Sequence, residues 1–310
     1  MEEIHFAPLQ GFTDLAYCNA HFQYIGDADY YYTPYFTIDE HLSIDAKKFC
    51  EGLFIRTIPQ ILPGNMDELK VLFRFIIENK FQTININLGC PYPMVTRKGR
   101  GASLVQNPKL VSEMINYISD HSNLTVSLKT RLGLYDENEI FKVLEIINPE
   151  KVRSIIIHPR TAKQLYKGEA SPIMFYQCNK MFPQFDMIYN GDINSFEDFK
   201  KLKDQFHGQA KWMLGRGLLS NPLIGWQIKN SSHKLEEDSY TKLYEFVFHL
   251  IENIGRDSKD QGHALNRVKS QFIYLCNSFT EPRKIFRVVR KSKSLDEIKE
   301  FMNSEMYKMR

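Results

Sequence analysis

A chain of 310 residues is long enough to bury a full core, and it accommodates either one barrel of roughly 200 to 250 residues with an appendage or two medium domains. With 43% hydrophobic and 25% charged residues it has an ordinary globular composition, and no apolar run approaches the ~18 residues that a membrane span requires. The net charge of +3 belongs to the tail, because residues 231–310 hold 15 Lys and Arg against 12 Asp and Glu while the rest is balanced.

At the start, Met1-Glu2-Glu3-Ile4-His5 carries acid where a secretory leader would carry a basic region, so a cytoplasmic protein is expected. Short β-rich segments then recur in chain order: Ile4–Pro8, Tyr30–Pro34, Arg56–Leu62, Thr83–Asn87, Thr125–Lys129, Ser154–His158, Met187–Asn190 and Lys211–Leu214. Helix signals fall between them. Asn107-Pro108 and Ser171-Pro172 read as an N-cap followed by an N1 proline, and Ser195 with Glu197 and Asp198 reads as a capped first turn. The first two crossovers carry weaker signals. Eight alternations of strand and helix indicate an α/β fold, a parallel (β/α)₈ TIM barrel over residues 1–230. The stretch from Asn230-Ser231-Ser232-His233 to Glu236-Glu237-Asp238 reads as a linker. Beyond it an all-helical C-terminal domain, residues 239–310, is expected from segments Tyr240–Ile254, His263–Cys276, Pro282–Arg290 and Leu295–Tyr307.

Polar groups gather where the strand segments end: Pro8-Leu9-Gln10, Gln60, Asn87 with Cys90, Lys129 with Arg131, His158 with Arg160, Asn190 with Asp192, and Gly215-Arg216. The C-terminal strand ends of a parallel barrel share one mouth, where sites are built. Cys90 lies between glycine and proline with Arg97, Lys98 and Arg100 nearby, a setting that suits an exposed, acidic thiol. The five cysteines (Cys18, Cys50, Cys90, Cys178 and Cys276) are scattered, with no Cys-x-x-Cys pair, so reduced thiols and no metal are expected, with all but Cys90 structural. In the tail, Arg267 to Lys293 has eight basic residues and one acid, Glu281. There Arg283, Arg287 and Arg290 share a face by i, i+4, i+7 spacing, while Ile285, Val288 and Val289 can face a core. Such a face is either a solvated surface or a footprint for phosphates.

The run Asn87-Leu88-Gly89-Cys90-Pro91, followed by Arg97-Lys98-Gly99 and Gly101-Ala102-Ser103-Leu104, resembles the signature of the dihydrouridine synthase family. Other stations of that family follow in order: Ala7 to Asp14, Lys129-Thr130-Arg131-Leu132-Gly133, His158-Pro159-Arg160-Thr161 with Gln164, Tyr166 and Gly168, Asn190-Gly191-Asp192-Ile193, and Gly215-Arg216-Gly217. The likeness spans roughly Ile4 to Pro222. It implies reduction of a tRNA uridine to dihydrouridine by FMN, with NADPH as the reductant and NADH as an alternative, and with Cys90 donating the proton to C5. It further implies that Pro8, Leu9 and Gln10 pass under the flavin, that Gln60, Lys129 and His158 contact it, and that Asn190, Gly191, Asp192, Gly215 and Arg216 hold its phosphate side. Asn87, Arg131 and Arg160 would serve the substrate, and Arg267, Lys269, Arg283, Arg287 and Arg290 would touch tRNA phosphates. The run Gly262 to Lys269 is similar to the tRNA-binding domain of the shorter bacterial synthases, especially their C branch. A monomer is expected. Pro159 in place of a usual glycine, and Leu9-Gln10 in place of Met-Ala, depart from the family pattern and would reshape the pocket. Two other readings are an FMN barrel acting on a small molecule, as in dihydroorotate dehydrogenases, and a non-catalytic RNA-binding barrel; the basic tail opposes the first, and the retained cysteine and lysine the second.

Overall fold

The computed structural model describes residues 2–39, 44, 57–206 and 208–306. Among these, nine strands occur: β1 (Glu3–Phe6), β2 (Tyr30–Tyr32), β3 (Thr57–Ile58), β4 (Gln60–Ile61), β5 (Thr83–Leu88), β6 (Thr125–Gly133), β7 (Ser154–Thr161), β8 (Met187–Tyr189) and β9 (Lys211–Leu214). They hydrogen-bond in the order β3-β2-β1-β9-β8-β7-β6-β5-β4. The two ends of that order are consecutive in the chain and separated only by Pro59, so the sheet returns on itself as the barrel read from the sequence. The expected third strand is therefore two short ones. Pro59 supplies no N–H to a ladder, which is why the pairing switches partner there. Arg56, where that strand was expected to begin, and Cys50 lie outside the described residues.

The chain divides into two compact units, one of Tyr32–Asp192 with Lys211–Met213, the other of Met1–Tyr31, Ile193–Ala210 and Leu214–Arg310. In the first, β5 and β6 pair in parallel from Thr83 opposite Thr125 to Leu88 opposite Thr130. Helix Met66–Glu78 covers them with Leu69, Leu72, Phe73 and Ile76, and helix Pro108–His121 with Val111, Met114, Ile115 and Ile118; both sets share one face by helical spacing. The caps expected from the sequence are present. Asn107 accepts from Leu110 N at 3.3 Å, Ser171 accepts from Met174 N at 3.3 Å, and Ser195 and Asp198 form a reciprocal capping box.

β6 and β7 run longer than expected, so Arg131 and Arg160 stand inside strands rather than on loops. Their register slips between Arg131–His158 and Gly133–Thr161, which gives β7 one extra residue. Pro159 lies in that bulge, where its missing N–H costs no ladder bond.

In the second unit the first crossover is helix Leu15–Tyr24, capped by Asp14. The tail is helical over Glu237–Asp257, Gln261–Leu275, Pro282–Lys291 and Leu295–Met306, close to the four expected segments. Leu243, Phe246, Val247, Leu250, Ile251 and Ile254 make the buried stripe of the longest of these. Among the described residues no helix is long and apolar enough to cross a membrane.

Candidate active site

β5 leads directly into the Cys90 loop, and Asn87 sets its shape. Asn87 Oδ1 accepts from the N–H groups of Gly89 and Cys90, both at 2.9 Å, which is a side-chain turn of the kind Asn favours. Its amide Nδ2 donates to Gln60 Oε1 at 2.7 Å, Gln60 Nε2 donates to Asn85 Oδ1 at 2.7 Å, and Asn85 Nδ2 donates to Ser127 Oγ at 2.8 Å. Four polar side chains from β4, β5 and β6 thus form one directional row in an otherwise apolar interior, each amide oriented by the next. On the far side of the loop, Gly101 sits at φ +62, and a Cβ there would meet the Cys90 carbonyl at 2.7 Å, so only glycine lets this segment close over Cys90.

The thiol differs from the sequence expectation. Cys90 is 8% exposed and packs with Leu62, Val95 and Tyr35. Burial raises its pKa above the ordinary thiol value, although hydrogen bonds from the Tyr92 N–H and the Tyr35 hydroxyl favour the anion. None of the three cations expected to acidify it is among the groups that shift its pKa. Arg97 and Lys98 are exposed, and Arg100 is buried in a two-pronged ion pair with Glu68 at 2.7 and 2.8 Å, with a third bond to Thr37 Oγ1 at 2.9 Å. Cys90 is therefore a protonated, weakly acidic group, not an exposed acidic thiol. Tyr35, which touches it, was missed in the sequence; it follows the Tyr30–Pro34 segment at the strand end, and that position was the available signal.

Lys129 is the cation of this region. Its ammonium has no hydrogen bond or ion pair among the described residues, and burial first, then the nearby Arg131, pull its pKa down to about 7. Arg131, expected to reach substrate, instead donates Nε to the Gly89 carbonyl at 3.1 Å and Nη1 to the carbonyls of Thr161 and Leu165 at 2.9 and 2.8 Å. It lies over the Tyr166 ring at 5.4 Å. Its observed work is to tie the Cys90 loop to the segment after β7. His158, Arg160 and Asp192 come together as a group: Arg160 pairs with both Asp192 oxygens at 3.0 and 2.5 Å and meets His158 Nε2 at 3.0 Å. Asn190 donates Nδ2 to the Met213 carbonyl at 2.7 Å, joining β8 to β9.

The other unit holds the remaining expected residues. Leu9 opens a tight turn closed by Thr13, whose hydroxyl accepts from Leu9 N at 2.7 Å, with Gly11 at φ +84 and Gln10 exposed. Gly215 packs beside Ala7 and Leu9, and Gly217 lies so close to the Ile193 carbonyl that a Cβ could not fit. In the tail, Arg267 donates to Asp14 at 2.7 Å and to Ser258 at 2.9 Å. Gln271 donates to the Phe12 carbonyl at 3.0 Å, so the helix Gln261–Leu275 braces the turn that follows β1. Arg267, expected on phosphates, is engaged within the protein, and Lys269 is half-buried. Arg283, Arg287 and Arg290 are exposed and make no hydrogen bond or ion pair among the described residues. Ile285 and Val289 are buried as expected, whereas Val288 is only half-buried. An open cleft of about 690 Å³ lies at the start of this helix, lined by Asn277, Glu281, Pro282, Arg283, Lys284 and Arg287.

A family model described as dihydrouridine synthase (Dus) matches residues 5–308. The tRNA-dihydrouridine(16) synthase of Vibrio parahaemolyticus is 31% identical over 212 residues, covering 67% of this chain and 63% of that protein. The tRNA-dihydrouridine synthase B of Pasteurella multocida is 31% identical over 181 residues, covering 58% and 53%. The chain thus spans under two thirds of the length of these two relatives. A protein named probable tRNA-dihydrouridine synthase 2 of Bacillus subtilis is 24% identical over 307 residues, covering 96% of this chain and 92% of that protein. Among solved structures, a 2-naphthoyl-CoA reductase superimposes with a TM-score of 0.54 at 9% identity, over 74% of this chain and 50% of that one. The old yellow enzyme from Trypanosoma cruzi gives 0.52 at 9% identity, over 77% and 91%. These two likenesses concern the fold alone.

Proposed function

Because the chain belongs to the dihydrouridine synthase family, we propose that it reduces the C5–C6 double bond of a uridine in tRNA to dihydrouridine, using FMN and NADPH. The observation that carries this reading is Cys90, a thiol that burial keeps protonated at the end of β5 while a tyrosine hydroxyl and a backbone N–H stand ready for its anion. That is the description of a general acid. Lys129, without a hydrogen bond or ion pair among the described residues, fits the electron-rich pyrimidine edge of a flavin, since a largely desolvated ammonium is stabilised by whatever anion or carbonyl comes to it.

FMN, when bound, would supply the hydride that adds to uracil C6. Cys90 Sγ delivers a proton to C5, and the Tyr35 hydroxyl and the Tyr92 N–H hold the thiolate until water returns its proton. Arg131 keeps the loop in place through the Gly89 carbonyl. Gly215 and Arg216 are the residues proposed for the flavin phosphate, on their chemistry of close backbone approach and positive charge. The full-length protein is expected to purify yellow with one noncovalent FMN per chain, to lose flavin on Arg216→Ala, and to form dihydrouridine in tRNA when given NADPH. A colourless protein that takes up no FMN on reconstitution would overturn the assignment.

A stacked uridine must leave its helix to be reduced, so the RNA has to be gripped elsewhere. Arg283, Arg287 and Arg290, exposed beside the 690 Å³ cleft, are proposed for that grip. Changing all three to alanine should weaken tRNA binding and flatten the slope of log affinity against log salt by somewhat under one unit for each lost phosphate contact. Binding titrations from low to moderate salt measure both. Coincident slopes for wild type and variant would place the RNA elsewhere, with the exposed Arg97 and Lys98 as the next surface to test.

A further inference from the structure

Arg100 is 8% exposed, and its side chain leaves the loop to which its backbone belongs. The backbone is part of the Cys90 loop: Arg100 N donates to the Val95 carbonyl at 3.4 Å, its carbonyl accepts from Ser103 Oγ at 2.8 Å, and Ala102 N donates to the Cys90 carbonyl at 3.1 Å. The guanidinium reaches two other segments. Nε and Nη2 donate to the Glu68 carboxylate at 2.8 and 2.7 Å, and Nη1 donates to Thr37 Oγ1 at 2.9 Å. Glu68 is already held by its own helix. It stands in the first turn of Met66–Glu78, where its Oε2 also accepts from Gly64 N at 2.7 Å and its N–H donates to the Asn65 cap at 2.9 Å. Gly64 leaves room for the arginine, since a Cβ there would lie 2.8 Å from the Lys98 carbonyl and 2.9 Å from Arg100 Cγ.

Thr37 is the end of this fork that bears on the thiol. Thr37 and Tyr35 flank Phe36, whose N–H donates to the Gln60 carbonyl at 2.8 Å and whose carbonyl accepts from Leu62 N at 2.9 Å. In such an extended pairing the residues on either side of the paired one share a face. Tyr35 packs on Cys90 beside Leu62 and Val95, and its hydroxyl donates to the thiol. Burial first, then the neighbouring Cys90, pushes the Tyr35 hydroxyl up to about 12, so it stays a donor through neutrality. We infer that Arg100, anchored by Glu68, is a positioning residue: through Thr37 it ties the Tyr35 segment to the Cys90 loop and holds the Tyr35 hydroxyl against Cys90 Sγ. Its charge does not act on the thiol directly, whereas Arg131 and Lys129 on β6 do, and neither belongs to the fork. That the thiol so held is the acid for C5 rests on the proposed function; the clamp itself does not.

The test is the pH dependence of Cys90 alkylation by iodoacetamide in the full-length protein, read on the Cys90 peptide by mass spectrometry so that the other cysteines do not interfere. The thiolate is the reacting form, so the midpoint of rate against pH reports the thiol. Tyr35→Phe removes a hydrogen bond to the anion and should raise the midpoint by about half a unit or more. Thr37→Val cuts one arm of the fork, leaves the ion pair intact, and should shift the midpoint in the same direction. Arg100→Lys should do likewise, because an ammonium keeps the charge but cannot span both Glu68 oxygens and Thr37. In the Tyr35→Phe background neither change should move the midpoint further, since changes that act through one contact are not additive. The sign separates positioning from general loosening: burial is what raises the thiol pKa, so admitting water would lower the midpoint. Midpoints of Thr37→Val and Arg100→Lys that equal the wild-type value, fall below it, or still rise without the Tyr35 hydroxyl overturn the inference. If Arg100→Lys, which disturbs a buried pair, does not fold, Thr37→Val alone and combined with Tyr35→Phe decides the matter. Dihydrouridine formation is assayed on the same proteins, so the expected midpoints in a protein that reduces no tRNA separate failure of the proposed function from failure of the clamp.

Discussion

Replacing Cys90 by alanine is expected to lower dihydrouridine formation by roughly 10²–10⁴-fold, the usual contribution of a positioned acid or base, while leaving flavin content and the oxidation of NADPH close to wild type. The asymmetry follows from the atom that Cys90 is proposed to supply. A proton to C5 is required only when the uracil is reduced, and the reaction with the nicotinamide has no use for it. The pH profile gives an independent sign. Burial raises the thiol pKa above its ordinary value, so the active, protonated form is complete through neutrality and declines only as pH rises through that elevated value. Wild-type turnover should therefore carry an alkaline limb that Cys90→Ala lacks. Stopped-flow bleaching of the flavin by NADPH, run beside a tRNA reduction assay, separates the two half-reactions. Equal loss in both would move Cys90 into a structural role.

A second large effect is expected at Lys129, and it runs in opposite directions for cofactor and fold. Lys129→Met should weaken flavin retention at least about tenfold, as loss of a charged hydrogen bond does, yet make the flavin-free protein more stable. The reason is linkage. The folded pKa of about 7 lies well below the ordinary lysine value of 10.5, so between those values the unfolded chain binds a proton that the folded chain does not. Stability of the flavin-free protein then rises with pH across that window; the cost of burying the ammonium is complete below about pH 7 and gone by about pH 10.5. Removing the charge should abolish this slope and add roughly 1–3 kcal/mol at neutral pH, discounted from the full shift because the side chain is not wholly screened from water. Urea titrations of both proteins, freed of flavin, across pH 7 to 10 measure it. A Lys129→Met protein that is less stable than wild type at neutral pH would mean that the ammonium has a partner in solution.

Much of this protein is written in signals that act over a few residues, and those the sequence by itself determined. The Asn107-Pro108, Ser171-Pro172 and Ser195-Asp198 caps, the alternation of strand and helix, and the four tail helices were legible because capping and periodicity depend only on near neighbours. The motif around Cys90 marked the family for a similar reason: its glycines and its asparagine shape one loop, with Asn87 bonding Gly89 and Cys90. What the side chains do electrostatically was decided only by the tertiary structure. Arg100 stands ten residues from Cys90 in the chain, close enough in sequence to be a neighbour of the thiol, but Glu68 on the helix Met66–Glu78 holds it. Arg267 was read as a phosphate contact, and Asp14 near the opposite end of the chain takes it. Arg160 and Asp192, assigned to two different ligands, hold each other, while Lys129 has no ion pair among the described residues and its pKa falls to about 7. Burial and partner distance fix a charge's pKa and its freedom to bind, and both are set by residues that meet only when the barrel closes, because an ion pair forms over a few ångströms of space regardless of how many residues separate its members in the chain.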